Sequence, residues 1–276
     1  VIGDAKSYLQ AMIATGETSP ETDWLKANRR NKQNWNKWLS QLADDDTNGL
    51  APEAVTKKVA SMVGPKDTYG VDTGNVSEWS VRGLPMNKQQ RFVLSGLFAT
   101  MGYGLPAGMA GALSVPDGQA WSFSGDGGFA MVAPDIITEA RYELPVINVV
   151  FSNRRFGFIY REQVDTKQHL YGVDLTDADW AKVAEGLGGI GFTVTNNAEV
   201  EKVFDQIKDL QAKGNKKPIV VNAVIKNDDP IGTAFMPLDA KLYGQETVDA
   251  YAKENHIDVQ QQPALGELLR AKGDNL

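Results

Sequence analysis

The 276-residue sequence has no cysteine and only two histidines, His169 and His256. The first absence excludes a disulfide scaffold, thiolate zinc sites, iron–sulfur clusters and a cysteine nucleophile. The second leaves too little imidazole for a histidine-built metal centre. Positive charge is also in short supply. With 28 basic and 35 acidic residues the net charge is −7, which offers no footprint for nucleic acid or an anionic membrane. The opening Val1-Ile2-Gly3-Asp4-Ala5 lacks the basic and apolar regions of a secretory signal, so a cytoplasmic setting is expected. No initiator methionine is present, and Val1-Ile2 reads as the tail of a strand; the chain is expected to begin inside a domain, as a fragment or processed piece. One stretch is long and uncharged enough to raise a membrane span, the 25 residues from Phe92 to Pro116. Five glycines and Pro106 interrupt it, and it reads instead as a tightly packed loop followed by a small-residue helix over Leu105–Leu113.

What remains is an ordinary globular composition, 42% hydrophobic and 23% charged. Ala5–Thr15 reads as a helix with Tyr8, Leu9, Met12 and Ile13 on one face. Residues 17–50 are polar, with Trp24, Leu25, Trp35, Trp38, Leu39 and Leu42 at helical spacing, and predict a connecting helix lying across a domain surface. From Pro52 onward helices and strands alternate. Helices are predicted over Pro52–Met62, Pro134–Tyr142, Asp179–Leu187 and Val200–Lys213. Strands are predicted over Thr68–Asp72, Gln119–Ser124, Val146–Phe151, Gly191–Val194 and Pro218–Ala223. Near-continuous β-branched runs between helices argue for an α/β fold, a parallel sheet with helices on both faces. Further helices are expected around Glu246–Glu254 and Leu265–Ala271.

Ligands in such sheets sit at the carboxyl ends of strands. Ser124-Gly125-Asp126-Gly127-Gly128 follows one strand, and Ser152-Asn153-Arg154-Arg155-Phe156-Gly157 follows the next. The glycines let backbone N–H groups approach an anion, and the carboxylate can hold a cation. Asn153 lies 27 positions beyond Asp126, the length of one helix-and-strand unit, so the two side chains should emerge at neighbouring strand ends. A carboxylate, an amide oxygen and backbone carbonyls suit Mg²⁺, which phosphates and water complete.

A Gly-Asp-Gly followed some 25–30 residues later by Asn resembles the signature of thiamine-diphosphate enzymes, and the rest follows from that resemblance. It implies a thiamine-diphosphate-binding fold, diphosphate-binding domain, with Mg²⁺ held by Asp126, Asn153 and the backbone carbonyl of Arg155. Arg154-Arg155 departs from the small or polar residues usual there. Phe98-Ala99-Thr100-Met101-Gly102-Tyr103-Gly104-Leu105-Pro106 is similar to the loop around the cofactor's aminopyrimidine, with Ala99 on that loop and Met101 as the wedge between the two rings. Asp72-Thr73-Gly74-Asn75 is similar to the loop near the diphosphate. Cofactor contacts are thus expected from Thr73, Gly74, Asn75, Ala99, Met101, Gly125, Gly127, Gly128, Phe156, Gly157 and Ile159. Within the family the pyruvate oxidases of lactic-acid bacteria are the nearest pattern, through Leu144–Phe151 and Phe156-Gly157-Phe158-Ile159 followed by Glu162-Gln163. There Phe158 and Glu162 would line the substrate and phosphate side.

That resemblance implies a reaction of pyruvate, phosphate and O₂ giving acetyl phosphate, CO₂ and peroxide, with FAD in the full-length, homotetrameric enzyme. It also divides the chain: 1–18 as the end of a central, FAD-type domain, 19–50 as connecting helix, 51–226 as the thiamine-diphosphate and Mg²⁺ domain, and 227–276 as a C-terminal extension. The glutamate that touches the pyrimidine comes from the N-terminal domain of a neighbouring subunit in such enzymes. This chain is therefore expected to be inactive alone. Alternatives are acetolactate synthase, pyruvate decarboxylase or pyruvate:quinone oxidoreductase chemistry, an assembly module without chemistry, and a Rossmann-type dinucleotide binder. The last rests on Gly102-Tyr103-Gly104-Leu105-Pro106-Ala107, where Phe92–Thr100 makes a poor preceding strand.

Overall fold

The structure, a computed structural model, describes residues 2–18, 20–166, 168–227 and 238–254. Helices α1 (Ala5–Ala14), α2 (Asp23–Asp44) and α3 (Pro52–Ala60) lead to β1 (Thr68–Val71). There follow α4 (Asn75–Gly83), β2 (Arg91–Leu94), α5 (Gly104–Ser114) and β3 (Ala120–Gly125). Next come α6 (Asp126–Val132), a 3-10 turn (Ala133–Asp135), α7 (Ile136–Arg141) and β4 (Ile147–Ser152). The remainder is α8 (Gly157–Asp165), α9 (Trp180–Gly186), β5 (Ile190–Val194), α10 (Asn197–Ala212), β6 (Ile219–Val224), α11 (Ala240–Tyr243) and α12 (Gln245–Glu254).

The six strands form one parallel sheet in the order β2-β1-β3-β4-β6-β5. From β1 the chain crosses to β2 on one side and then to β3 on the other. This reversal opens a crevice between the carboxyl ends of β1 and β3, where ligands of such sheets bind. Alternate residues of the central strands feed two separate cores. Ile147, Val149 and Phe151 of β4 share one apolar cluster with Val55 and Val59 of α3, Val76 and Trp79 of α4, and Phe204 of α10. Val150 of β4 and Val220 of β6 join Leu105 of α5, Phe129 of α6 and Ala184 of α9 in the other. Helices thus cover both faces, as the sequence predicts.

The charge-free stretch of the sequence becomes β2, a loop and α5. Helix α5 lies almost in contact with the sheet: a Cβ on Gly70 would sit 2.5 Å from both the Gly104 carbonyl and the Gly108 nitrogen, and one on Gly111 would sit 2.2 Å from Thr68 Oγ1. Small residues there serve close packing, not a bilayer, and no helix among the described residues is long and apolar enough to span a membrane. Side-chain caps start three long or mid-length helices: Thr22 accepts from the Leu25 N–H, Asp179 from Lys182 and Asn196 from Glu199.

Several expectations need correction. The segment judged a poor strand contains β2, an edge strand with mostly exposed side chains, whose pattern merges with the apolar loop that follows. Ile2 is fully exposed and outside any strand. Helices α4, α6 and α8 had no sequence assignment because they are short and begin in motif-bearing segments that read as loops. The expected helix over Leu265–Ala271 lies outside the described residues.

Candidate functional site

Strands β1, β3 and β4 end side by side, and the loops after them wall a cavity of about 270 Å³. Every residue singled out in the sequence for a site lines it. From the loop after β1 come Thr73, Gly74 and Asn75, and from the loop before α5 come Ala99 and Met101. The turn into α6 supplies Gly125, Asp126, Gly127 and Gly128. The segment after β4 and the start of α8 supply Asn153, Arg155, Phe156, Gly157, Phe158, Ile159 and Glu162.

Asp126 is 5% exposed and Asn153 7%, at the ends of paired strands β3 and β4. Asp126 Oδ1 accepts the Gly127 N–H (2.9 Å) and Oδ2 the Arg154 N–H (2.6 Å), which ties the two strand ends together. Asn153 Oδ1 accepts the Arg155 N–H at 3.2 Å. Burial pushes the Asp126 carboxyl above the ordinary carboxylate range, and the Arg154 and Gly127 amides pull it back. The donor set is all oxygen with a single carboxylate, which fits a hard cation that keeps phosphate and water ligands. Among the described residues no three of His, Asp or Glu gather as a metal cluster.

Two glycines of the turn are packed against neighbouring side chains. A Cβ on Gly127 would lie 2.4 Å from the Phe156 ring and one on Gly128 2.3 Å from Asp72 Oδ2, so neither position tolerates a side chain. Gly74 and Gly125 face open space, and Gly74 has φ +131°, a conformation that favours glycine. Two of the non-glycine residues with positive φ are Ala99 (50°) and Arg154 (57°), on the loops that carry Met101 and hold Asp126. Backbone strain concentrated in this way is a feature of ligand sites.

Helix α8 forms one wall. Arg155 braces it: its guanidinium lies 3.9 Å from the centroid of the Tyr160 ring and its Nε 3.6 Å from Asp174 Oδ1. Phe158 is half-buried, and Ile159 and Glu162 are exposed at the mouth. Three lining residues escaped the sequence reading, Val76, Trp79 and Phe151. The Trp79 and Phe151 rings lie 5.6 Å apart and form the apolar floor. The helical spacing of Val76 and Trp79 was the available signal. Asp72, fully buried beside the cavity, also carried a signal, an acid ending an apolar strand.

A larger cavity, about 440 Å³, lies among α2, α3 and α4 and shares Trp79 as a wall. It contains none of the site residues singled out in the sequence, and its Lys57 and Arg82 are already paired with Asp44 and Glu78.

Comparison with known proteins identifies relatives of the chain. The chain is 34% identical to the pyruvate oxidase of Lactiplantibacillus plantarum over 91% of its length and 41% of the relative's. It is 25% identical to the acetolactate synthase large subunit of Corynebacterium glutamicum over 83% of this chain and 37% of that one. Among solved structures, the thiamine diphosphate-dependent 4-hydroxybenzoylformate decarboxylase of Rhodococcus jostii shares the fold, with a TM-score of 0.59, 21% identity, and coverage of 66% of this chain and 34% of that one. The chain thus spans about two fifths of the length of the curated relatives it matches. The family described as "Thiamine pyrophosphate enzyme, C-terminal TPP binding domain" matches residues 72–223, from the end of β1 to β6, and the chain belongs to that family.

Proposed function

We propose that this chain is the cofactor-binding part of a pyruvate oxidase that converts pyruvate, phosphate and O₂ to acetyl phosphate, CO₂ and peroxide. The observation that carries the reading is the convergence of Asp126, Asn153, the Gly125–Gly128 turn, Met101, Phe158 and Glu162 on one cavity. Greater identity to a pyruvate oxidase than to an acetolactate synthase supports the choice of reaction.

Bound thiamine diphosphate supplies a nucleophilic carbon and a store for the electrons released on decarboxylation. In this reading the carboxylate of Asp126, the amide oxygen of Asn153 and the backbone carbonyl of Arg155 hold Mg²⁺, and the glycine turn admits the diphosphate. Met101, on the loop before α5, would contact the cofactor between its two rings. Ile159 would contact the cofactor, and Phe158 and Glu162 would line the side where pyruvate and phosphate enter. FAD, the activating glutamate and the tetramer interface would belong to the longer protein, including a neighbouring subunit's N-terminal domain.

Native mass spectrometry of the chain with thiamine diphosphate and Mg²⁺ tests the cofactor site, with one of each expected on the wild type and neither on Asp126→Ala. The same cofactor load on Asp126→Ala would remove the metal assignment. The reaction is tested on a full-length protein carrying this chain. Acetyl phosphate and peroxide from pyruvate and phosphate are expected; acetolactate without peroxide would overturn the oxidase in favour of the synthase.

A further inference from the structure

Asp72 is fully buried at the end of β1, in the crevice where the chain reverses direction across the sheet. Its Oδ1 accepts the N–H groups of Thr73 (2.8 Å), Gly102 (2.9 Å) and Tyr103 (3.3 Å), and Gly102 also reaches Oδ2 at 3.1 Å. On its far side Oδ2 abuts Gly128 so closely that a Cβ there would lie 2.3 Å away. Its own backbone is anchored, because its N–H donates to the Phe123 carbonyl (2.8 Å) and its carbonyl accepts from Ser77 Oγ (2.6 Å). One carboxylate therefore touches three segments far apart in sequence: the loop after β1, the loop that carries Met101, and the turn that carries Asp126.

We propose that Asp72 is a positioning residue of this site, a buried carboxylate that presets the Met101 loop and the Gly127–Gly128 turn against the end of β1 before any ligand arrives. The role is distinct from ligand binding, because Asp72 does not line the cavity. The segment from Ser95 to Met101 is mostly exposed and carries positive φ at Ala99. Its other hydrogen bonds are few: the Thr73 hydroxyl donates to the Thr100 carbonyl (3.3 Å), Ser95 Oγ to Thr100 Oγ1 (3.1 Å), the Ala99 N–H to the Ser95 carbonyl (2.8 Å) and the Gly96 N–H to the Leu94 carbonyl (2.9 Å). Charge-assisted acceptance of two consecutive amides, Gly102 and Tyr103, is the strongest bond from this loop to the sheet. Preorganisation of this sort lowers the ordering cost of a ligand that must contact both walls. The consequence for affinity rests on the cofactor reading above, whereas the effect on the empty chain does not.

The test is amide hydrogen exchange of the full chain without ligand, followed by thiamine diphosphate titration with Mg²⁺. In Asp72→Ala the Gly102 and Tyr103 amides, and those of residues 99–101, should exchange about tenfold faster or more, the factor expected when a charge-assisted bond to a buried amide is lost. Exchange in β3, β4 and β6 should stay as in the wild type. Asp72→Asn should restore part of the protection, since its amide oxygen can accept from the donors on Oδ1, while the charge and the Gly102 bond to Oδ2 are lost. Gly128→Ala, which displaces the carboxylate from the other side, should reproduce the local loosening in a chain whose Asp72 is intact, and it decides the matter where Asp72→Ala does not fold. Unchanged exchange over 99–103 in Asp72→Ala and Gly128→Ala would overturn the proposal. Uniform acceleration across the sheet would also overturn it, by making Asp72 a general stabiliser. Cofactor affinity should fall at least about tenfold in Asp72→Ala and recover in part in Asp72→Asn. Local loosening in the two variants, together with a wild-type chain that binds no cofactor, would uphold the positioning role and count against the cofactor reading instead.

Discussion

Glu139 shows how far burial can move a single group. It is fully buried, with one carboxyl oxygen accepting from Asn148 Nδ2 at 2.8 Å, while its other oxygen and Asn148 Oδ1 have no partner. Burial raises its carboxyl well above the ordinary carboxylate value, and the nearby Asp135 charge adds to this. The folded form therefore holds its proton after the unfolded chain has released one, so stability falls as pH rises from the ordinary value toward the raised one. Glutamine has the same shape, carries no charge and can pair both of its amide atoms with those of Asn148. We expect Glu139→Gln to flatten this part of the pH dependence and to stabilise the chain by about 1–2 kcal/mol in mildly alkaline buffer. Urea unfolding across the pH range measures it, and an unchanged slope would refute the assignment. Asp126, also buried and raised, differs in having a backbone N–H on each oxygen and an open cavity beside it. The contrast separates an acid enclosed by the core from one that faces a cavity.

Helix α5 and strand β1 approach so closely that the contact leaves no room for a methyl group. On Gly70 a Cβ would meet the backbone of Gly104 and Gly108, which cannot rotate away, so Gly70→Ala should cost about 3 kcal/mol or more. A Cβ on Gly186, in the last turn of α9, meets nothing within 4 Å, and Gly186→Ala should be neutral or stabilising by up to about 1 kcal/mol. Thermal unfolding of the two variants side by side reads the difference, and equal shifts would show that the close packing of α5 is not the constraint. Helix α8 depends on different forces. It buries no residue completely, and Arg155 stacked on Tyr160 is its brace. Arg155→Gln should speed amide exchange in α8 severalfold, in line with a cation–π contact of about 1 kcal/mol, and leave β4 unaffected. Exchange in α8 indistinguishable from wild type would mean that the stack contributes nothing.

At the scale of the whole molecule, stability resides in the two cores that sandwich one sheet. Helix α1 takes no part: none of its residues is buried, and Tyr8, Leu9, Met12 and Ile13 are all more than half exposed. Removal of residues 1–18 should change the unfolding free energy by less than about 0.5 kcal/mol, the range for surface changes remote from a core. A larger loss in chemical denaturation would show that α1 packs in solution. If the chain is one part of a longer enzyme, as proposed above, its isolated form should yield no acetyl phosphate from pyruvate, phosphate, FAD and Mg²⁺. Measurable product would sink that expectation.

Local chemistry was enough to read the repeating helices and strands of residues 52–226, because β-branched runs and helical spacing are short-range signals. The Asp126 and Asn153 motif was equally legible, since one helix-and-strand unit sets its spacing. Strand β2 was not legible because its short pattern merges with the apolar loop that follows, and helices α4, α6 and α8 because they are short and begin inside motif segments that read as loops. The tertiary structure alone decided the strand order, and with it which loops meet. Asp72, Gly102 and Gly128 are separated by 30 and 26 positions in the chain, and only the crossing of β1 between β2 and β3 brings them onto one carboxylate. No local preference encodes that contact. It follows from the burial of both faces of a parallel sheet, a property of the assembled chain rather than of any segment of it.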